Sequence, residues 1–290
     1  MDLVWLGGAA GGDRLLVGGK AAHLCRLAAR YPVPAGFCLT TQAFRQWRAA
    51  AGPDDLPRGV RTTLAKAYRD LGGAQGTSDP AVAVRSSAVD EDGSEASFAG
   101  QHDTFLHQRG LAAVEAAVLR CWRSAASQRA LHYRRQRGLS PEGTGLAVLV
   151  QLMVAADVAF VAFSVDPVDG RRDRAVINAN WGLGESIVGG HATPDTYVVQ
   201  KASLDLVSSR IGSKERMTVA TAVGTTEVAT PRILRERRAL TGEQVGSITR
   251  LLLELEADME GPVDVEGAIA QDRIYLLQCR AVTRLGPADA

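Results

Sequence analysis

Three polar side chains stand close together near the end of this 290-residue chain, inside largely apolar runs. Glu266 lies in the run Val263–Ala270, and Gln278 and Arg280 lie in residues 274–280. Both runs read as strands, joined by the turn Gln271-Asp272-Arg273. Side chains alternate along a strand, so Gln278 and Arg280 point to the same face. A carboxylate and an amide oxygen are hard donors of the kind Mg²⁺ takes. A guanidinium beside them suits the phosphates that such an ion bridges. An interior ion pair between Glu266 and Arg280 is the plainer alternative.

Phosphate chemistry recurs upstream. Gly18-Gly19-Lys20 places a cation after two flexible residues at the start of a helix, where a lysine can reach a phosphate as a point charge. Val84-Arg85-Ser86-Ser87 ends a strand in a guanidinium and two hydroxyls. The small, polar loop Ser97-Phe98-Ala99-Gly100-Gln101-His102-Asp103-Thr104 can turn backbone N–H groups toward phosphates. A surface lysine and ordinary loops account for these segments as well. The common nucleotide fingerprints are absent. A Walker A loop needs glycine at 14 and Ser or Thr at 21, where the chain has Arg14 and Ala21. Gly182-Leu183-Gly184-Glu185 begins like a dinucleotide loop, but residue 187 is isoleucine. Neither His-Glu-x-x-His nor Gly-x-Ser-x-Gly occurs.

The elements that would position these groups alternate irregularly. Helices are expected over residues 20–30, from Thr40 or Thr41 to about 51, and over 60–71, 111–137 and 242–259. Strands are expected over 37–39, 81–87, 146–154, 158–165, 175–179, 196–201, 263–270 and 274–280, with two more over 204–210 and 217–222. Residues 285–290 read as a disordered tail. Without strict β-α-β alternation, the pattern points to an α+β architecture with antiparallel sheets.

Composition narrows the classes of partner. A net charge of +1 makes no electrostatic case for nucleic acid or a membrane surface. The apolar stretch 147–165 is interrupted by Gln151, Asp157 and Ser164, and reads as two antiparallel buried strands rather than a membrane span. Four cysteines, Cys25, Cys38, Cys121 and Cys279, lack zinc-site spacing and are expected to be reduced thiols. No signal peptide is evident at the start, so a cytoplasmic protein is expected.

The scattered segments gain meaning from their order. Gly18-Gly19-Lys20-Ala21-Ala22, Val33-Pro34-Ala35-Gly36-Phe37, Thr40-Thr41, Val84-Arg85-Ser86-Ser87-Ala88 and Glu95-Ala96-Ser97-Phe98-Ala99-Gly100-Gln101 come first. Val150-Gln151, Trp181-Gly182-Leu183-Gly184-Glu185, Thr193-Pro194-Asp195-Thr196-Tyr197, Asp264-Val265-Glu266 and Leu277-Gln278-Cys279-Arg280 follow. The series resembles the N-terminal nucleotide-binding domain of phosphoenolpyruvate synthase and pyruvate phosphate dikinase, which rifamycin phosphotransferases share. The resemblance implies an ATP-grasp-like fold of two lobes, residues 1–152 and 153–284, with a tail at 285–290 and ATP between the lobes. It implies phosphate contacts from Lys20 and Arg85, and a loop with Ser97, Gly100, Gln101 and Thr104 closing over them. Gln151 would lie near the adenine and Glu185 near the nucleotide. Glu266 and Gln278 would hold Mg²⁺, and Arg280 would assist transfer.

In the full-length enzymes of that family this domain phosphorylates a histidine on a separate swivelling domain. None of the five histidines here lies in a Thr-Ser-His-Ala-type context, so a histidine-bearing phosphocarrier is expected elsewhere. A kinase or ATP-grasp-type ligase acting directly on a small molecule is the first alternative, and a nucleotide-sensing module the second. One departure stands out: the family usually has Trp after the metal-binding Glu, and this chain has Gly267.

Overall fold

The apolar stretch after residue 145 does form two buried strands, but they do not pair with each other. In a computed structural model of the chain, they lie in different sheets of an α+β architecture. The description covers residues 1–50, 54–89, 104–125, 145–222 and 224–282. Two units emerge: Met1–Met153 with Ala222–Gly224, and Val154–Thr221 with Thr225–Ala290.

The first unit contains, in chain order, β1 (Leu3–Trp5), α1 (Arg14–Leu27), β2 (Gly36–Leu39), α2 (Thr41–Ala49), α3 (Arg58–Gly73), β3 (Val82–Ala88), β4 (Thr104–Gln108), α4 (Leu111–Ala125) and β5 (Leu146–Leu152). The strands form one antiparallel sheet in the order β1-β2-β5-β3-β4. Alternation gives β2, β3 and β5 two apolar faces. One face sends Phe37, Leu39, Val82, Val84, Val148 and Val150 into a core with residues of α2, α3 and α4. The other sends Cys38 and Ala147 against Val17, Ala21 and Ala22 of α1. Central strands covered on both sides read as near-continuous apolar runs, as β5 does up to Gln151.

The first helix begins earlier than its sequence suggests. It starts at Arg14, where the Asp13 side chain caps the Leu15 amide at 2.9 Å, and it kinks at Gly18. Gly18 has φ 76° and ψ 170°, a region essentially closed to side chains. A Cβ there would sit 2.1 Å from the Ser87 carbonyl oxygen. Beyond the kink, the Ala21 amide donates to Ser87 Oγ at 3.1 Å. A serine on β3 thus caps the second half of the helix, the half that carries Lys20.

The second unit contains β6 (Val158–Phe163), β7 (Arg174–Trp181), α5 (Glu185–Val188), β8 (Asp195–Gln200), β9 (Leu206–Arg210), β10 (Arg216–Ala220), β11 (Thr225–Ala229), α6 (Arg232–Arg235), α7 (Gly242–Asp258), β12 (Val263–Ala270) and β13 (Arg273–Ala281). Its main sheet is antiparallel, in the order β13-β12-β6-β7-β8-β9, and β10 and β11 make a separate hairpin. The capping box of Thr241 and Gln244 starts α7, which packs on β12, β6 and β7 through its buried apolar stripe. Gln271 and Asp272 both take positive φ, as a two-residue hairpin turn requires.

Asp195, at the head of β8, ties three segments of this unit together. Its Oδ1 accepts from the Gly212 amide at 2.8 Å and from Lys214 Nζ. Its Oδ2 accepts from the Ala239 amide at 2.7 Å and the Tyr197 hydroxyl at 3.2 Å. Lys214 is fully buried and also donates to Gly212 O at 3.1 Å. Burial pushes the Tyr197 phenol up to about 12.

Two predictions follow from this architecture. Removing one partner of a buried, hydrogen-bonded charge pair leaves the other uncompensated, so Lys214→Met is expected to cost about 3–5 kcal/mol in urea unfolding. Replacing both partners, as Asp195→Asn with Lys214→Met, should recover part of that loss; a single-variant loss under about 1 kcal/mol would contradict the pin. At the kink, Ser87→Ala should cost about 1 kcal/mol for a lost cap, and Gly18→Ala should cost more because strain and collision add. Thermal unfolding followed by circular dichroism checks the ranking, and a Gly18→Ala protein as stable as Ser87→Ala would overturn it.

Candidate nucleotide site

In the first unit the α1 side of the sheet carries Arg85 and packs against the helix that bears Lys20. Ser87 meets the helix from β3, and Arg85, two residues earlier, shares that face by strand alternation. Lys20 precedes Ala21, the residue that Ser87 caps. Arg85 is buried, opposite Leu149 of β5 on one side and Thr104 of β4 on the other. Thr104 is exposed at the start of its strand. Gln151 lies on β5 two residues from Leu149, opposite Ala83 and Gly36, and is 1% exposed. Its Nε2 donates to Pro34 O at 3.1 Å, so the amide is engaged with the unit's interior. Ser97, Gly100 and Gln101 lie outside the described residues.

In the second unit the closing hairpin sets the polar groups by register. Glu266 stands opposite Gln278, and Asp264 opposite Arg280. All four share the face turned away from Val263, Val265 and Cys279, which are buried on the other side of the strands. Arg280, for which an interior ion pair with Glu266 was the plainer alternative, pairs with Asp264, its Nε at 2.8 Å and Nη2 at 2.6 Å from Oδ2. Register explains that choice, since directly opposed side chains meet more closely than diagonal ones.

Asp264 is the residue that the sequence reading passed over. The same alternation that pairs Gln278 with Arg280 places Asp264 beside Glu266, which was the available signal. Burial pushes the Asp264 carboxyl up, the Arg280 guanidinium pulls it back, and Glu266 adds a smaller upward push. With both Arg280 contacts on Oδ2, its Oδ1 is buried without a hydrogen-bond partner. A buried lone oxygen is costly unless something engages it. Together with the Glu266 carboxylate and the Gln278 amide, it gives one face three hard oxygen donors, which fits a Mg²⁺ ion that completes its shell with phosphate and water. Among the described residues there is no cluster of three or more His, Cys, Asp or Glu suited to an all-protein metal cage.

Glu185 belongs to a different part of this unit. It opens the single turn α5, after a loop that β10 holds from behind. The Leu183 amide donates to Thr218 O at 2.9 Å, and a Cβ on Gly182 would lie 2.4 Å from that oxygen. Buried Asn180 braces the same loop through Ser186 Oγ at 3.0 Å and Arg216 O at 2.9 Å. The backbone around Glu185 is therefore fixed from two sides. The absent side chain at Gly267 is also accounted for: the Phe160 ring occupies the space beside it.

Among the described residues, no helix is long and apolar enough to cross a membrane. Comparison with known proteins matches residues 48–290 to the model of the pyruvate phosphate dikinase AMP/ATP-binding domain. A probable phosphoenolpyruvate synthase of Methanocaldococcus jannaschii is 34% identical over 98% of this chain and 27% of its own length. The prodigiosin synthesizing transferase PigC of Serratia marcescens is 38% identical over 94% of this chain and 32% of its own length. The rifampicin phosphotransferase of Streptomyces sviceus is 36% identical over 94% of this chain and 35% of its own length. The chain thus spans roughly a third of the length of these relatives. Among solved structures, Ca. Korarchaeum cryptofilum ACD1 in complex with coenzyme A is 12% identical, with 91% of this chain and 92% of that chain covered and a TM-score of 0.41. On the family match, this chain belongs to the pyruvate phosphate dikinase AMP/ATP-binding domain family.

Proposed function

We propose that this chain binds ATP with Mg²⁺ and acts as the ATP-binding component of a phosphotransferase, its two units being the lobes of an ATP-grasp-like domain. The observation that carries the reading is the polar face of the closing hairpin, where Asp264, Glu266, Gln278 and Arg280 are set side by side by register. Glu266 and Gln278 would hold the ion, with Asp264 Oδ1 close by as a buried acceptor. When bound, the ion would neutralise phosphate charge and orient the group to be transferred.

The chain's own residues have distinct tasks in this reading. Lys20 supplies a point charge to phosphate oxygens, and Arg85 a planar fork that can grip two of them. Arg280, paired with Asp264, would meet charge that builds during transfer. Thr104 at the start of β4, with Ser97, Gly100 and Gln101, would contribute the remaining phosphate contacts. Gln151 sits near the adenine, its role there one of packing and backbone position since its amide serves Pro34. Glu185 completes the nucleotide contacts from its braced loop.

The acceptor in this reading is a histidine on a phosphocarrier domain or protein beyond these residues. The short span relative to the curated relatives supports that view.

Calorimetric titration with ATP, with and without Mg²⁺, tests the proposal. ATP binding is expected to tighten with Mg²⁺, and Glu266→Ala is expected to weaken the Mg²⁺-dependent part by roughly tenfold or more. Lys20→Ala should weaken binding at saturating Mg²⁺, and Arg280→Lys should retain binding while losing transfer, since the fork and not the charge is removed. Nucleotide analysis should show little turnover by the chain alone. ADP or AMP formed with an added small molecule and no carrier would favour direct chemistry, and absence of ATP binding would refute the reading.

A further inference from the structure

Behind Glu266 lies a contact that the chemistry of the site does not itself require. On one side of β12 the ladder is irregular: Glu266 faces Gln278, Gly267 faces Leu276, and Leu277 is the extra residue of a bulge. On the other side the ladder is regular, with Glu266 opposite Val161 and Gly267 opposite Phe160. The backbone that leads out of Glu266 is therefore held in strict register by β6 alone.

Phe160 supplies the hold. It is 1% exposed, and a Cβ built on Gly267 would lie 2.1, 2.6 and 2.7 Å from its Cζ, Cε1 and Cε2. The tip of the ring thus points at the Gly267 α-carbon. Gly267 does not take a positive φ, so backbone conformation does not demand glycine here; the ring does. An aromatic side chain laid over a glycine on the neighbouring strand fills the missing volume and stiffens the pair. At a bulge, where the partner strand gives way, that stiffness fixes where the next carboxylate points.

We propose that Phe160 is a positioning residue for Glu266: its ring, seated on Gly267 on the opposite face of the sheet, sets the backbone that aims the Glu266 carboxylate toward the Gln278 amide. The inference rests on the reading of Glu266 and Gln278 as metal ligands. It makes residues 160 and 267 an exchange pair in which one ring serves two positions.

The test is Mg²⁺ titration of ATP binding, together with the melting temperature of the metal-free protein, for Phe160→Leu, Phe160→Ala, Gly267→Phe and the swap Phe160→Gly/Gly267→Phe. Phe160→Ala is expected to weaken the Mg²⁺-dependent part of binding by roughly tenfold, while binding measured without Mg²⁺ changes by less than about twofold. Phe160→Leu, which keeps most of the volume, covers the case in which the alanine variant does not fold. It should show the same loss to a smaller degree. The swap returns one ring to the same space from the other strand, so it should bind Mg²⁺-ATP better than the product of its single changes predicts. A lower melting temperature with an unchanged Mg²⁺ titration in the Phe160 variants would reduce the ring to packing and overturn the inference. So would a swap that is merely additive. If the parent protein itself shows no Mg²⁺ dependence, the metal-site reading falls and this inference with it, whereas a parent that responds to Mg²⁺ beside unaffected Phe160 variants removes this inference alone.

Discussion

A slip of one residue between β12 and β13 would send every polar side chain of the closing hairpin into the core packed by α7, because strand side chains alternate with period two. That register is the constraint on which the proposed site depends. It is set by apolar residues on the hidden face: Val263, Val265, Ile269, Leu276 and Cys279 are buried. It is reinforced by a two-residue turn whose positive φ values leave little choice of pairing. The polar face contributes one specific bond of its own, the Asp264–Arg280 pair, half of which is open to water. Such a pair stabilises weakly but orients strongly, since the guanidinium is planar and its bonds are directional. The hydrophobic face thus decides where the donors stand, and the ion pair decides how Arg280 is presented.

The first unit solves a related problem with a helix instead of a hairpin. In the proposed reading Lys20 is offered from a helix start, yet α1 has already begun at Arg14. The kink at Gly18 creates a second start in mid-helix, and Ser87 supplies the acceptor that the freshly exposed amide needs. Gly18 cannot carry a side chain because the Ser87 backbone is too near, so the same strand that brings Arg85 also defines where the Lys20 segment begins. A glycine pair read in the sequence as flexibility is, in the fold, a tight docking point.

Long periodic elements were legible from residue types. The helices 58–73 and 242–258 and the hairpin 263–281 follow from apolar spacing and turn chemistry. Elements of three to five residues such as β1, β4, β11 and α5 escape such reading, because so few positions carry no measurable period. The stretch 147–165 shows a different limit. Its two strands were legible, but their pairing was not: adjacency in sequence suggests a hairpin, whereas β5 pairs with β2 and β3, and β6 with β12 and β7. Partner choice is a non-local property. For the same reason Glu266 and Arg280 were read as possible partners while Asp264, the residue that register sets against Arg280, was given no role of its own.

The closing hairpin carries its own electrostatic logic. It holds two carboxylates, an amide and one guanidinium, with the guanidinium bound to one oxygen of Asp264 and the other oxygen of that group buried without a hydrogen-bond partner. One guanidinium set against two carboxylates leaves hard oxygen donors in excess on this face, and burial raises the cost of leaving such an oxygen unengaged. A divalent cation is the kind of ligand that would offset both terms at once, which is why the register of this hairpin, and not any single residue in it, carries the functional reading.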